Sequence, residues 1–176
     1  MIKSFILTLT ALVVGGVIAQ AQTSAAGAPT DPQIAMIAVT ADTVDIDAGK
    51  LAAKKASNSK VKEFADLMVR DHTSVNNKAT ALVKKLNVTP EESETSRSLK
   101  SDGDKNLEKL RGLSGAAFDK AYIDNEVTYH EAVIKAVTDT LIPNAKNAEL
   151  KSLLESAGPV FTSHLTHAKE LQNSLH

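Results

Sequence analysis

The sequence predicts an all-helical protein: a four-helix bundle of two helical hairpins, with an extra crossover helix joining them. Three observations support this fold class. Apolar residues recur at steps of three and four along most of the chain, which is the spacing of a helix with one buried face. No segment shows the alternating pattern of a half-buried strand. Short groups of Ser, Asn, Gly and Pro residues separate the periodic segments.

The first hairpin is predicted from two apolar stripes and the break between them. Asp31 and Pro32 suit a helix start, with Asp31 as the N-cap and proline at the first helical position. The first stripe continues to Ala56, where the sequence Ser-Asn-Ser interrupts it, and the second stripe ends at Leu86. Because the connection is short, we expect the two helices to pack antiparallel.

The crossover segment and the second hairpin follow. Residues 91–111 are polar and contain few leucines, which predicts a weakly amphipathic helix that is interrupted or bent around Gly103. A third bundle helix follows, and Pro143 is expected to end it. The fourth helix is predicted to begin near Ala145 and to kink at Pro159, because proline removes a helical hydrogen bond.

The first 21 residues predict a secretory signal peptide. Lys3 supplies the positive charge, residues 5–18 form the apolar run, and the small Ala-Gln-Ala triplet forms the cleavage site. The apolar run is short for a transmembrane helix, so a retained membrane anchor is the less favoured alternative. Residues 22–30 are expected to be a flexible leader, and residues 31–176 one bundle domain. The protein is therefore expected to be periplasmic or secreted, with no stable membrane span after cleavage.

Composition narrows the possible partners. The formal net charge is −1, and the chain contains four Phe, two Tyr and no Trp, so it has neither the basic field nor the stacking platforms of a nucleic-acid-binding protein. The chain contains no cysteine, which excludes disulfides, a lipidated cysteine and covalent haem attachment. Self-association or a partner protein in the cell envelope remains open.

Each predicted bundle helix carries an ionisable residue where its buried stripe should be apolar: Asp45, His72, His130 and His164. Asp45 and His72 lie at similar distances from the first hairpin turn, so we expect them to face each other. With the second turn placed at Pro143, His130 and His164 are offset by roughly 7 Å along the bundle.

One carboxylate and three imidazoles that converge from four helices would suit a divalent transition metal such as iron, zinc, manganese or nickel. Asp71, Glu126 and His167 are further candidates as ligands or as partners that orient the rings. The alternative is a metal-free network of buried Asp and His residues that only orders the bundle.

Enzymatic turnover is not indicated by the sequence. The chain has no nucleophile elbow, no glycine loop of the kind that binds phosphates, and no cysteine nucleophile. A hydrolase that uses Glu126 and His130, which are four residues apart, would still need a nucleophile that the sequence does not supply.

Three stretches of the chain resemble a known family. The runs "DIDAGKLAAKKASNSKVKEFADLMVRDHT", "LSGAAFDKAYIDNEVTYHEAV" and "FTSHLTHAKEL" are similar to the exported bacterial family called domain of unknown function 4142. The similarity extends over residues 32–171. Its motifs are the Asp71-His72 pair, Ser-Gly-x-x-Phe-Asp at residues 114–119, and a late histidine followed by alanine.

The resemblance implies a ferritin-like helical fold and an exported protein whose activity is not established. His72, His130 and His164 match positions of the family pattern, which usually has glutamate where this chain has the shorter Asp45. A ferritin-type di-iron centre requires Glu-x-x-His pairs on two helices, and the sequence has none, so ferroxidase and oxygenase chemistry is disfavoured. The sequence thus favours an envelope or stress-related protein that binds a divalent metal, or a structural or interaction protein with a metal-free Asp–His network.

Overall fold

The computed structural model describes residues 27–175, and within them it is helical without strands. The helices are α1 (Asp31–Lys55), α2 (Ser59–Lys85), α3 (Glu94–Arg111), α4 (Gly115–Ala136), the short α5 (Ile142–Asn144) and α6 (Ala148–Ser174), with a π-helical turn at Val137–Leu141 between α4 and α5. The all-helical fold class is confirmed. The predicted signal peptide, residues 1–21, and residues 22–26 of the predicted leader lie outside the described residues. Residues 27–30 of the leader are described and are not helical.

The four long helices α1, α2, α4 and α6 form the bundle. Helix α1 packs along α2, α4 packs along α6, and the two hairpins meet chiefly through α2 and α6. Helix α3 crosses between the hairpins and lies against α1. This is the ferritin-like arrangement with an added crossover helix that the sequence predicts.

The interior contains two apolar clusters at opposite ends of the bundle. One is built around Phe64, Phe118 and Tyr122, near the turn between α1 and α2. The other is built around Ile34, Leu141 and Leu154, near the turn before α6. Along each bundle helix, the ionisable residues named above lie between the parts that supply these two clusters. A buried polar layer thus separates two apolar cores.

Carboxylates hold the two hairpin turns. Asp119 of α4 is almost fully buried, and its oxygens accept hydrogen bonds from the backbone N–H groups of Ser57 and Asn58 at 2.9 and 2.8 Å. Asp31 accepts hydrogen bonds from the backbone N–H groups of Lys146 and Asn147 at 2.8 and 2.9 Å. The prediction that Asp31 is the N-cap of α1 was therefore wrong, because Thr30 is the N-cap. Asp31 instead binds the backbone of the turn that precedes α6.

The crossover helix α3 is continuous, so the predicted interruption at Gly103 was wrong. Gly103 is buried because α3 approaches α1 closely there: a Cβ atom at Gly103 would lie 2.8 Å from the Cγ atoms of Val44. The glycine thus permits helix contact and does not break the helix.

The second hairpin turn lies later than predicted. The chain remains helical past Pro143, which lies at the start of α5, and α6 begins at Ala148. The turn is therefore at residues 145–147. Helix α6 continues through Pro159 to Ser174. None of the helices within residues 27–175 combines the length and the apolar character that a membrane span requires.

Candidate metal centre

The four residues that interrupt the apolar stripes lie together in the middle of the bundle. Asp45 comes from α1, His72 from α2, His130 from α4 and His164 from α6, and each is 3% exposed or less. The three imidazole rings are mutual neighbours, with ring centroids 5.2 to 5.5 Å apart. Each helix of the bundle therefore contributes at least one ionisable side chain to a single buried cluster.

His164 lies level with the other two histidines because of the position of the second turn. His130 lies 15 residues before residue 145, and His164 lies 17 residues after residue 147. At 1.5 Å per helical residue the axial offset is roughly 3 Å, less than half of what a turn at Pro143 would give. The later turn brings His164 into the cluster.

His72 is held between two carboxylates of α1. Its Nδ1 lies 2.8 Å from Oδ1 of Asp42, a hydrogen bond between two buried side chains. Its Nε2 lies 3.4 Å from Oδ2 of Asp45 and has no hydrogen-bond partner. The ring of Phe161 stacks on the imidazole at a centroid distance of 5.2 Å with an interplanar angle of 5°. These contacts fix the ring with Nε2 directed into the cluster.

His130 is oriented by its own helix. Its Nδ1 donates to the backbone carbonyl of Glu126, one turn earlier, at 3.0 Å. Its Nε2 is left without a partner, 3.6 Å from Oδ2 of Asp45. The carboxyl of Glu126 is also close, with Oε2 3.5 Å from Nδ1 of His130, and this oxygen has no hydrogen-bond partner.

His164 is oriented from α2. Its Nε2 donates to Oδ2 of Asp71 at 3.1 Å, and its Nδ1 has no partner. Asp71 is only partly buried and also accepts a hydrogen bond from Arg70 at 2.8 Å. The outer nitrogen of each histidine is thus used in a hydrogen bond, and the inner nitrogen of each presents a lone pair.

Two overlapping sets of three ligand atoms are each compact enough to hold an ion. Ligand atoms of His72, His130 and His164 lie within 4.8 Å of one another, and so do ligand atoms of Asp45, Glu126 and His130. Neither carboxylate oxygen of Asp45 has a hydrogen-bond partner. An unsatisfied buried polar group costs about 1–3 kcal/mol, more when charged, so this many unpaired acceptors in one place would be costly without a cation or protons to satisfy them.

Burial and mutual charge shift the pKa values in the cluster. Burial raises the pKa of Asp45 to about 6, against the lowering effect of the charge of His72. Burial also raises the pKa of Glu126 well above its usual range, with the charge of Asp45 adding to the effect. For His130, burial and then the charge of His72 lower the pKa to about 3, so this imidazole stays neutral.

His72 and His164 shift in opposite directions. Burial works to lower the pKa of His72, but the charge of Asp45 and the hydrogen bond and charge of Asp42 together raise it above its usual value. Burial lowers the pKa of His164, although its hydrogen bond to Asp71 opposes the shift. Asp45, His72 and Glu126 therefore hold protons more readily than usual, whereas His130 and His164 remain neutral bases.

The secondary candidates separate into two groups. Asp71 and Glu126 both contact cluster histidines, as described above. His167 lies one turn beyond His164, with its ring edge-on to Phe64 at a centroid distance of 5.2 Å, and it is not among the residues of the cluster.

Sequence reasoning missed Asp42. This carboxylate is 3% exposed and orients His72. Its position three residues before Asp45, on the same side of α1, is a signal that the sequence does contain.

The fold and the site together define a class: a helical-bundle protein whose four main helices enclose a His/carboxylate cluster with the features of a metal site. The chain belongs to the domain of unknown function 4142 family, whose model matches residues 17–171. Among solved structures, it is similar to "CopM in the Cu(II)-bound form", with a TM-score of 0.65 and 14% identity over 85% of this chain and 99% of that one. At that identity the similarity concerns the fold. No curated protein matches.

Proposed function

We propose that this protein is an exported helical-bundle protein that binds one divalent transition-metal ion through His72, His130, His164 and Asp45. The observation that carries the proposal is the set of inner ligand atoms: Nε2 of His72, Nε2 of His130, Nδ1 of His164 and both oxygens of Asp45 are buried and without hydrogen-bond partners. A metal ion held by the three histidines would accept their lone pairs, and Asp45, whose Oδ2 lies 3.4 and 3.6 Å from Nε2 of His72 and His130, would supply the carboxylate ligand.

The outer hydrogen bonds support this proposal. In metal sites, a ligating histidine commonly donates its second ring N–H to a carboxylate or a backbone carbonyl, which fixes the tautomer and the ring orientation. Here Asp42, the carbonyl of Glu126 and Asp71 supply that acceptor for the three histidines. A hydrogen-bonded network without metal would instead place donors against acceptors on the inner side.

The donor set limits the choice of ion. Neutral imidazoles with a carboxylate suit zinc, copper, iron, manganese and nickel, and no thiolate is available because the chain has no cysteine. For a given set of such ligands, affinity rises from manganese through iron to copper and then falls at zinc. The sequence suggested iron, zinc, manganese or nickel, and the copper-bound state of CopM supports adding Cu(II) to the ions tested.

Binding, not turnover, is the function we propose, in the periplasm or outside the cell, in an envelope or stress-related role. The location rests on the signal peptide that the first 21 residues predict. The near-complete burial of all four proposed ligands suits retention of an ion, because it limits access of water and of competing ligands.

A second candidate is a structural or interaction protein of the cell envelope with a metal-free cluster. The observation that favours it is the position of His72 between Asp42 and Asp45, which raises its pKa and allows a buried imidazolium to satisfy the carboxylate oxygens. In that case the cluster would only order the bundle.

Elemental analysis of the purified protein, produced without a histidine tag, distinguishes the two candidates. We expect about one metal ion per chain, lost in the His72→Ala, His130→Ala double variant. The matched control is His167→Ala, which removes a histidine of α6 that packs on Phe64 outside the cluster and should keep the ion. No metal in the unaltered protein, even after anaerobic reconstitution, together with a melting temperature that no divalent ion changes, would overturn the metal proposal and favour the second candidate.

A further inference from the structure

A large cavity lies between the two hairpins, beside the cluster and toward the end of the bundle that contains Ile34, Leu141 and Leu154. Its volume is about 920 Å³, and most of its walls are apolar side chains of α1, α2, α4 and α6. Protein interiors seldom leave voids larger than a water molecule, whereas pockets of about 300–1,000 Å³ are typical of small-molecule sites. The volume is therefore in the range of a ligand pocket.

The sequence creates this space with alanines on facing helices. Ala38 and Ala41 of α1, Ala136 of α4 and Ala157 of α6 all line the cavity. Larger apolar residues at these positions would fill the gap, as the rings of Phe64, Phe118 and Tyr122 fill the space beside the alanines of the opposite core. The helices themselves tolerate either size, because alanine and leucine are both strong helix formers.

The two ends of the cavity differ in character. The inner end is formed by Asp42, Tyr129 and Phe161, and the phenol of Tyr129 is already bonded to the backbone carbonyl of Ala41 at 2.9 Å. Phe161 stacks on His72, so the inner end is also an outer wall of the metal-site cluster.

The outer end lies at the surface, where exposed charged residues of the α3 region border it. Among the described residues that line the cavity, Arg97 is the sole cation, and it lies 3.8 Å from Glu92. Glu94 also borders the cavity, and Asp42 is a carboxylate at the inner end. An anionic headgroup would therefore meet acidic residues at both ends, and the one cation there is already near a carboxylate.

We propose that this cavity binds an uncharged, largely hydrocarbon small molecule, with the chemistry of a long-chain alcohol. Burial of its apolar surface against the alanine, valine and leucine walls supplies the driving force. The carboxylates at both ends select against fatty-acid anions. The proposal does not depend on the metal ion, since none of the cavity walls includes a proposed ligand.

Fluorescence titration of the metal-free full chain with N-phenyl-1-naphthylamine, a neutral apolar probe, tests the site. We expect saturable binding of one probe per chain, weakened at least tenfold in the Ala38→Phe, Ala136→Phe double variant, which fills the space. The control is Ala81→Phe on α2, an exposed alanine that does not line the cavity, and it should bind as the unaltered chain does. Failure of the unaltered chain to bind, or equal binding by a folded double variant, would overturn the proposal.

Two further measurements use the unaltered chain and so do not depend on a variant that folds. The methyl resonances of Val75, Val133 and Leu153, which line the cavity, should shift as 1-dodecanol is added, while those of Val61 and Leu110 in the other core should not. Dodecanol should displace the fluorescent probe at least tenfold more effectively than dodecanoate. Shifts restricted to the other core would refute the location, and equal displacement by dodecanoate would refute the ligand class.

Discussion

Asp42 accepts a hydrogen bond from Nδ1 of His72 at 2.8 Å, and this contact decides which nitrogen of the ring is available to the cluster. With Nδ1 engaged, the lone pair of Nε2 is directed toward Asp45, 3.4 Å away. Asp42, which is not a proposed ligand, thus fixes the ring orientation of His72, which is one. The same arrangement recurs at His164 through Asp71.

The Asp42→Asn variant is expected to bind metal about 10- to 100-fold more weakly, in line with other losses of an orienting partner. The amide is a weaker acceptor for Nδ1–H and can also turn its own N–H₂ toward the ring, so the tautomer of His72 is no longer fixed. A competition titration against a chelator of known affinity measures the change.

Asp47→Asn is the matched control for Asp42→Asn, because Asp47 lies on the same helix but is exposed, 3.7 Å from Lys50. It should leave the affinity unchanged. An Asp42→Asn variant that binds as tightly as the control would show that Asp42 does not orient His72 for a metal.

Removal of the metal should lower the melting temperature. An ion that binds the folded state alone stabilises it by about 2.7 kcal/mol at a free concentration a hundred times its dissociation constant. For a chain of this size that corresponds to a shift of roughly 5–11 °C. Thermal unfolding followed by circular dichroism, with and without a chelator, measures it.

The stabilisation by metal should be smaller in Asp45→Asn, because the amide retains the shape of the side chain but removes the charged ligand, while the three histidines remain. If the chelator lowers the melting temperature of Asp45→Asn as much as that of the unaltered chain, Asp45 is not a ligand of the ion.

Metal affinity should fall as the pH is lowered from about 7.5 to 5, because protons and the metal compete for the same atoms. Without metal, the pKa of Asp45 is raised by burial to about 6, and the charges of Asp45 and Asp42 raise that of His72 despite its burial. A raised pKa means that the protonated form is populated at higher pH, and each displaced proton contributes up to about tenfold in affinity per pH unit.

His130 should not contribute to this pH dependence, since burial lowers its pKa to about 3. The same chelator competition, repeated across the pH range, provides the measurement. An affinity that does not change between these pH values would mean that the ion is not held by Asp45 and His72.

The proposed ligands were accessible to sequence reasoning because each one breaks a periodic pattern. An aspartate or histidine in a buried stripe needs a partner, and four helices with such a break at similar depth point to one cluster. The position of His164 along the bundle was predicted less accurately. That prediction placed the turn at Pro143, whereas the chain stays helical to residue 144.

Asp42 and the hydrogen bonds that orient the rings were not found in this way. Asp42 lies beside the stripe and not within it, so it interrupts no apolar pattern. The tautomer of each histidine depends on contacts such as that between His164 and Asp71, 93 residues apart, and no local pattern specifies these contacts. The residue types were predictable, and their orientation required the packed structure.

The contact between α3 and α1 at Gly103 gives a prediction that is independent of the metal. Sequence reasoning treats glycine inside a helix as a weak point, and replacement by alanine would then stabilise α3 by up to about 1 kcal/mol. The structure predicts a loss of stability instead, because the added Cβ would lie 2.8 Å from the Cγ atoms of Val44. We expect Gly103→Ala to lower the free energy of unfolding by about 1–3 kcal/mol, as overpacked cores do.

Gly112→Ala is the control for the replacement at Gly103. Gly112 has a right-handed φ of −74°, and its added Cβ would meet nothing closer than the backbone oxygen of Lys109 at 3.4 Å. This variant should be as stable as the unaltered chain or slightly more stable in denaturant unfolding. If Gly103→Ala behaves in the same way, α3 does not pack closely on α1, and the crossover helix is only a connection between the hairpins. If it is destabilised as expected, the crossover helix packs closely on α1 at Val44, on the same helix that carries Asp42 and Asp45.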